Sequence, residues 1–359
     1  MVKNLIKIIK IFITVVIFLI TLAGLFFLSV FTDRQKIEKT EDINIRYTQK
    51  PPYLLTAKPS YTAITWDIGF ATQGAGVDSY FEGGKTSCPP YDSVMQWMSE
   101  IENYLTSVNN TDFVLLQEID RLSKRSYNID QRHVIDSVFL QHARCFAGNH
   151  NVSFIPVPLR HPYGAISAGM ETLSATYPLE SMRYAFEKKG NFFKKPFMED
   201  LCCINNYYRL RNGKSLIIIN VYNAPLKKMT ERLNLAQSIV ALMVTEYEQG
   251  NYVMAGGNWG ITPLTATDAA FAIPDTTFFN NDNTSLSEIL PDGWKLCFDP
   301  NHPTTRNMKT PYQQNTTPVS ITDFFIVSPN VNVIETQTIP LNFKDSPHNP
   351  VMMKFSFNP

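Results

Sequence analysis

The sequence lacks an excess of charge of either sign, because its 32 Lys and Arg residues balance 32 Asp and Glu residues. Proteins that bind nucleic acid obtain much of their affinity by neutralising phosphates with basic side chains. No dense Lys/Arg cluster stands out in this chain. The charge balance therefore speaks against a nucleic-acid partner.

Cysteine is also sparse. The five cysteines have a spacing that fits no zinc motif, and the adjacent pair cannot easily share an ion; they are Cys88, Cys145, Cys202, Cys203 and Cys297. An odd and scattered set predicts mostly buried thiols, and one disulfide remains an alternative for two of them.

Apolar residues, by contrast, are abundant. Hydrophobic residues make up 44% of the 359-residue chain and include 24 Phe, which is enough for a substantial core and excludes general disorder. Short β-branched segments alternate with segments of helical periodicity over residues 93–108, 129–142 and 228–249. From residue 61 onward there is no internal repeat, and no segment has an amino-acid composition that would indicate a second domain. We therefore predict one mixed α/β domain over residues 61–359, with a polar loop or insertion at 261–291.

An uncharged run at residues 11–31 dominates the N-terminus. A helix of this length rises roughly 30 Å, which is enough to cross the hydrocarbon core of a bilayer. Because Lys3, Lys7 and Lys10 precede the run, the positive-inside rule predicts that residues 1–10 are cytoplasmic and that the main domain is extracytoplasmic.

The alternative to a retained anchor is a signal peptide that is removed. The apolar run is longer than a usual signal-peptide core, and no Ala-x-Ala cleavage site follows it. We predict a single transmembrane helix over residues 11–31, followed by a polar linker over residues 32–60.

Six short motifs suggest a specific fold. In chain order they are Thr65-Trp66-Asp67-Ile68-Gly69, Leu116-Gln117-Glu118-Ile119-Asp120, Asn220-Val221-Tyr222-Asn223, Gly256-Gly257-Asn258-Trp259-Gly260, Thr322-Asp323-Phe324-Phe325 and Ser346-Pro347-His348-Asn349-Pro350. Together, and in this order, they resemble the endonuclease/exonuclease/phosphatase superfamily, and most of all its membrane-anchored bacterial members. The Ser-Lys-Arg-Ser-Tyr stretch at residues 123–127 adds to that likeness.

The resemblance covers residues 62–357 and implies the DNase I-like fold. In that fold two β-sheets pack face to face with helices outside, which gives a four-layer α/β/β/α sandwich. It also implies one site at the strand ends that uses Mg²⁺ or Mn²⁺ to hydrolyse phosphomonoesters or phosphodiesters. A divalent ion would offset the charge that develops on the phosphate oxygens.

Three residues match what the resemblance implies. Glu118 stands at the position of a metal-binding Glu, Asp323 at that of an Asp that supports a catalytic His, and His348 at that of the final His. Asp67 replaces an Asn and adds a carboxylate. We predict Glu118 and Asp67 as metal ligands, and His348, Asp323, Asn258 and Tyr222 as the residues at the catalytic positions.

Four further positions depart from the pattern. Asn258 replaces the Asp that would activate water, Tyr222 replaces a His, Gly260 an Asn, and Pro347 the Asp before the last His. An amide cannot accept a proton, and general-base catalysis contributes about 10²–10⁴-fold in rate. The departures therefore predict a site that has lost its chemistry.

Two hypotheses follow. The first is a membrane-tethered domain without catalysis that binds a phosphate-containing ligand or a protein partner, with or without a metal ion. The second is an active Mg²⁺- or Mn²⁺-dependent phosphodiesterase or phosphatase with a rearranged site. A nuclease is a third and weaker possibility, against which the charge balance speaks.

Overall fold

The computed structural model describes residues 2–32, 38–188, 190–223, 226, 228–263 and 286–357. Most of the insertion predicted at 261–291 lies outside the described residues. The four helices of the described part are α1 (Val2–Thr32), α2 (Tyr91–Ser107), α3 (Gln131–Val138) and α4 (Met229–Glu248).

The strands of the described part are, in chain order, β1 (Thr40–Asp42), β2 (Ile45–Arg46), β3 (Tyr61–Asp67), β4 (Phe113–Asp120), β5 (Ala143–Ile155), β6 (Gly164–Ser174), β7 (Glu180–Ala185), β8 (Cys202–Arg209), β9 (Ser215–Tyr222), β10 (Tyr252–Asn258), β11 (Lys295–Cys297), β12 (Thr305–Arg306), β13 (Val319–Ser320), β14 (Asp323–Val327), β15 (Val331–Thr338) and β16 (Val351–Phe357). All but β12 and β13 belong to two seven-stranded sheets. The first sheet has the order β1-β7-β8-β9-β10-β14-β11, and the second has the order β15-β16-β3-β4-β6-β5-β2.

The two sheets pack face to face because their central strands are apolar on both sides. In β9, Leu216 and Ile218 face the core between the sheets, whereas Ile217 and Ile219 pack toward α4. Successive side chains of a strand point to opposite faces, so a continuous apolar run indicates a strand that is covered on both.

The second sheet is built in the same way. Phe113 and Leu115 of β4 face the inter-sheet core, and Val114 and Leu116 pack with apolar residues of α2 and α3. The predicted four-layer α/β/β/α arrangement is thereby confirmed.

A polar contact joins the sheets where β4 becomes irregular. The pairing of β4 with β6 shifts register between Leu116 and Ile119. Asn220 of the first sheet donates through Nδ2 to the carbonyl oxygens of Leu116, at 3.2 Å, and Glu171, at 3.0 Å. Its Oδ1 accepts from Gln117 Nε2 at 2.7 Å. One buried amide thus supplies partners to backbone groups at the irregularity.

The segment predicted as a linker contributes to both sheets. β1 pairs with β7 in the first sheet, and β2 pairs with β5 in the second. Both are edge strands of two or three residues, so their composition carries little strand signal, and pairing with a longer strand stabilises them.

Helix α1 contains the predicted anchor. Residues Lys3–Leu28 form a helix that is long and apolar enough to cross a membrane, although a signal sequence meets the same criterion. The five cysteines are all free, and four of them are buried, as the sequence predicted.

We predict that Gly257→Ala destabilises the domain by roughly 1–3 kcal/mol or more, as overpacking of a core does. Gly257 has a φ of +151°, and an added Cβ would lie 1.9 Å from the carbonyl oxygen of Val221 on the neighbouring strand. Thermal unfolding in detergent measures the effect. The control is Gly76→Ala, whose Cβ meets nothing within 4 Å. Equal melting temperatures for the two variants would contradict the prediction.

Candidate active site

The predicted site residues come from strand ends in both sheets. Asp67 ends β3 and Glu118 lies in the irregular part of β4, in the second sheet. In the first sheet, Tyr222 ends β9 and pairs with Asn258, and Asn258 pairs in turn with Asp323 at the start of β14. The two sheets therefore present these side chains at one edge of the sandwich.

His348 and Asp323 form a buried pair. His348 Nδ1 lies 2.7 Å from Asp323 Oδ2, which also accepts from Thr322 Oγ1 at 3.0 Å. The side chain of His348 is 11% exposed. Burial lowers the pKa of His348, but the charges of Asp323 and Asp67 outweigh burial and raise the pKa above its ordinary value. The imidazole is thus fixed in orientation and favours its protonated form.

Asn258 lies beside the second nitrogen of that imidazole. Its Nδ2 is 3.4 Å from His348 Nε2 and donates to Asp67 Oδ2 at 2.9 Å, while its Oδ1 accepts from Gly260 N at 3.0 Å. A neutral amide therefore occupies the place between His348 and Asp67.

Asp67 is fully buried, and both of its oxygens accept hydrogen bonds. Oδ1 accepts from Gly69 N at 3.0 Å, and Oδ2, which accepts from Asn258, lies 3.9 Å from His348 Nε2. Burial raises the pKa of Asp67, and His348 counteracts part of that rise.

Tyr222 reaches across the sheets to Glu118. The phenol donates a short hydrogen bond to Glu118 Oε1. Glu118 has a φ of 55°, which the irregularity in β4 imposes. Burial, and after it the negative charges of Asp67 and Glu199, raise the pKa of Glu118 well above its ordinary value. Burial likewise raises the pKa of Tyr222, so the phenol remains a hydrogen-bond donor.

Sequence reasoning missed Glu199. It lies in an irregular segment before β8, and its Oε1 is 3.6 Å from His150 Nδ1. Burial raises the pKa of Glu199 to about 7, with Arg125 lowering it and Asp67 raising it further. Its only signal in the sequence is an acidic pair, Glu199-Asp200, directly before a strand.

The stretch at residues 123–127 organises a buried carboxylate next to the site. Ser123 and Ser126 donate to the oxygens of Asp120 at 2.7 and 2.8 Å, and Arg125 forms an ion pair with it at 2.8 Å. The guanidinium of Arg125 also stacks 3.3 Å from the centre of the Phe70 ring. Arg125 is the buried cation that partly offsets the charge of Glu118 and Glu199.

Both predicted metal ligands, Glu118 and Asp67, accept hydrogen bonds from groups of this chain. Oxygen ligands around a divalent ion must converge with free lone pairs. Here Asp67 accepts from a backbone amide and from Asn258, and Glu118 accepts from Tyr222. Among the described residues, no three His, Cys, Asp or Glu side chains are placed to hold one ion. Mg²⁺ or Mn²⁺ at Glu118 and Asp67 stays a prediction.

No protein-family model matches the chain, and no curated protein matches it by sequence. Its fold is nevertheless similar to solved structures. An endonuclease/exonuclease/phosphatase from Beutenbergia cavernae DSM 12333 is 12% identical, with a TM-score of 0.56 over 84% of this chain and 72% of that one. Its counterpart from Bacteroides vulgatus is 13% identical, with a TM-score of 0.51 over 84% of this chain and all of that one.

ANGEL2, described as a 2′,3′-cyclic phosphatase, is 11% identical, with a TM-score of 0.52 over 90% of this chain and 99% of that one. These likenesses show that the chain has the endonuclease/exonuclease/phosphatase (DNase I-like) fold, which confirms the prediction from the six motifs.

We predict that Glu199→Gln flattens the pH dependence of stability between about pH 4.5 and 7. Because its pKa is raised to about 7, Glu199 binds its proton more tightly in the folded state. As the pH rises from the unfolded-state pKa of Glu199 through 7, ionisation of Glu199 therefore lowers the free energy of unfolding of the native protein. The Glu199→Gln variant has no ionisable group there and does not show this loss. Melting temperatures across this pH range, compared with the native protein, test the effect.

The matched control is Glu248→Gln, which removes the same charge at an exposed position at the end of α4. Parallel pH profiles for the two variants would show that Glu199 is not the titrating group.

Proposed function

We propose that this protein is a membrane-anchored, extracytoplasmic domain of the endonuclease/exonuclease/phosphatase fold that binds a phosphate-containing ligand or a protein partner without hydrolysing phosphoesters. The observation that carries the proposal is the position of Asn258 between His348 and Asp67. A general base must accept a proton from water within hydrogen-bond reach of the phosphate, and an amide has no proton-accepting form at neutral pH.

The contact between Tyr222 and Glu118 supports the same proposal. The phenol already occupies one oxygen of the carboxylate that the fold would use for a metal ion. Burial raises the pKa of Glu118 well above its ordinary value, and the neutral phenol of Tyr222 is a donor that suits a carboxyl group with a raised pKa.

The groups that remain suit binding. His348, held by Asp323 and favouring its protonated form, can donate a charge-assisted hydrogen bond to a phosphate oxygen. Protonation of Glu118 and Glu199 would lower the repulsion that an anionic ligand meets. A 2′,3′-cyclic phosphatase among the structural neighbours is consistent with a phosphoester as the bound chemistry.

The orientation of the protein in the membrane is also part of the proposal. Helix α1 would remain attached as the anchor, with Lys3, Lys7 and Lys10 on the cytoplasmic side and the domain on the other.

One observation favours the alternative of an active Mg²⁺- or Mn²⁺-dependent phosphodiesterase or phosphatase. The His348–Asp323 pair is intact at 2.7 Å, and three carboxylates, Asp67, Glu118 and Glu199, influence one another electrostatically in one site. A rearrangement that released Tyr222 and Asn258 would free oxygens for an ion.

We predict that the full chain in detergent shows no turnover above background on an aryl phosphodiester, sphingomyelin or plasmid DNA with Mg²⁺ or Mn²⁺. We expect no turnover because Asn258 stands where a general base is needed. Asn258→Asp combined with Pro347→Asp restores two carboxylates. Activity in that variant alone, up to about 10²-fold over background, would show that the native fold is intact and lacks only these catalytic groups.

Glu118→Ala is the control for contaminating activity. Turnover in the native protein that Glu118→Ala and His348→Ala both abolish would refute the proposal and establish the alternative.

A further inference from the structure

Two loops of the domain carry large apolar side chains to the surface. In the loop after β5, Leu159 is 90% exposed, and in the segment before β8, Phe192 and Phe193 are 65% and 61% exposed. Phe154 near the end of β5 and Val157 in the loop after it are also exposed, and Phe192 contacts Phe193 edge-on. We call these five residues the aromatic surface. Contiguous exposed apolar groups of this kind mark sites of association with a protein or a membrane.

The end of helix α1 lies against the aromatic surface. The ring of Phe26 is centred 6.3 Å from that of Phe154, and the ring of Phe27 is 5.9 Å from that of Phe193. Phe26 and Phe27 belong to the last turn of the apolar segment Lys3–Leu28. Where the segment Lys3–Leu28 crosses a bilayer, Phe154 and Phe193 lie at the level of its last turn, close to the bilayer surface.

Basic residues accompany the apolar ones in the same two loops. Arg160 and His161 follow Leu159, and Lys194 and Lys195 follow Phe193. Aromatic and basic side chains side by side suit the membrane interface, where rings enter the headgroup region and cations meet anionic lipids.

We infer that the aromatic surface inserts into the bilayer interface as a second membrane contact, in addition to the span. The candidate site is tied to this contact, because Glu199 follows Phe193 by six residues. An extended chain of that length covers at most about 20 Å. The bilayer surface therefore lies within that distance of Glu199, and the domain has one face turned to lipid.

The test uses the full chain in phosphatidylcholine/phosphatidylglycerol vesicles. Phe193→Trp and Leu159→Trp place an indole on the aromatic surface, and Ile334→Trp places one on β15, at a 50% exposed apolar position on the opposite edge of the second sheet. The emission of the native protein, which has four Trp, is subtracted.

With acyl-chain-brominated lipids, we expect the indoles at 193 and 159 to shift to shorter wavelength and to lose most of their emission, and the indole at 334 to do neither. Quenching at 193 and 159 no greater than at 334 would overturn the inference. Unchanged melting temperatures of the three variants establish that the comparison is between folded proteins.

A second feature is a cavity of about 440 Å³ that four arginines line, Arg46, Arg121, Arg132 and Arg183. None of the six predicted site residues lines it. Arg46 is paired with Glu171 at 2.6 Å and also with Asp136, and Arg183 lies 3.7 Å from Glu41. The other acidic residues in its wall are Asp42 and Asp200, and Asp200 pairs with Lys188 at 3.0 Å.

Acidic side chains neutralise the positive charges of Arg121 and Arg132 less than those of Arg46 and Arg183. Arg132 lies 3.8 Å from Asp130, and the structure gives Arg121 no ion pair within the residues that it describes. The Nε groups of both are buried without a hydrogen-bond acceptor, and both guanidinium groups lie within 6 Å of the Phe146 ring centre, at 5.7 and 5.5 Å. Burial, followed by repulsion from Arg46 and Arg121, lowers the pKa of Arg132.

We propose that Arg121 and Arg132 bind a phosphate-type oxyanion in this cavity. Guanidinium groups match such an anion with parallel N–H donors, and the anion would supply the acceptors that the two Nε groups lack. The anion is either a free phosphate ester or a lipid headgroup. Pro196 and Met198 line the cavity, and Phe197 between them packs against Phe26, which places this wall of the cavity next to α1.

The experiment compares Arg121→Gln/Arg132→Gln with Arg209→Gln/Arg211→Gln, a matched pair of exposed arginines. Melting temperature is measured in detergent with inorganic phosphate, and in nanodiscs with phosphatidic acid or with phosphatidylcholine alone. Because phosphate also stabilises folded proteins in general, the difference between the two variants is the informative quantity.

We expect the added anion to raise the melting temperature of the native protein and of the matched pair more than that of Arg121→Gln/Arg132→Gln. An effect of inorganic phosphate identifies a soluble ligand, and an effect confined to phosphatidic acid identifies a headgroup. Equal shifts in both double variants, or no shift in either arm, would overturn the proposal.

Discussion

The irregularity in β4 is the constraint on which the rest of the site depends. Buried carbonyl groups without partners cost free energy, and at this point Asn220 supplies the partners from the opposite sheet. The same irregularity gives Glu118 its positive φ. Because Tyr222 follows Asn220 by two residues on β9, its side chain points to the same side and meets Glu118. One amide thus connects the two sheets next to the contact between Tyr222 and Glu118.

Charge in the site is balanced mainly by groups of this chain. Asn258, Tyr222 and backbone amides donate to the carboxylates, burial favours their protonated forms, and Arg125 and His348 supply positive charge. Asn258, Tyr222 and Pro347 replace acidic or basic groups of the expected motifs with neutral ones, whereas Asp67 adds a carboxylate. The fold is retained with these replacements at the edge where the strand ends meet.

Long periodic elements were predictable from sequence, and elements that depend on tertiary partners were not. Helix α4 begins and ends within one residue of the predicted 228–249, because its apolar spacing is regular. Strands β6 and β7 carry little strand signal in the sequence, because they mix Gly, Ser, Glu and Arg and are stabilised by neighbouring strands. The six candidate site residues were predicted from motif order, and the structure places them at one edge of the sandwich. Glu199 was not, because its segment is irregular and only the folded chain brings it to Glu118.

The pairing of β1 and β2 with the sheet edges determines how the domain can move. Only residues 33–37 separate the end of α1 from the described chain that leads into β1, a length that reaches no more than about 20 Å when extended. This short connection limits the distance between the end of α1 and the first strand of the domain. With α1 held in a bilayer, the domain would stay close to the membrane surface, and a molecule that binds it would have to reach it there.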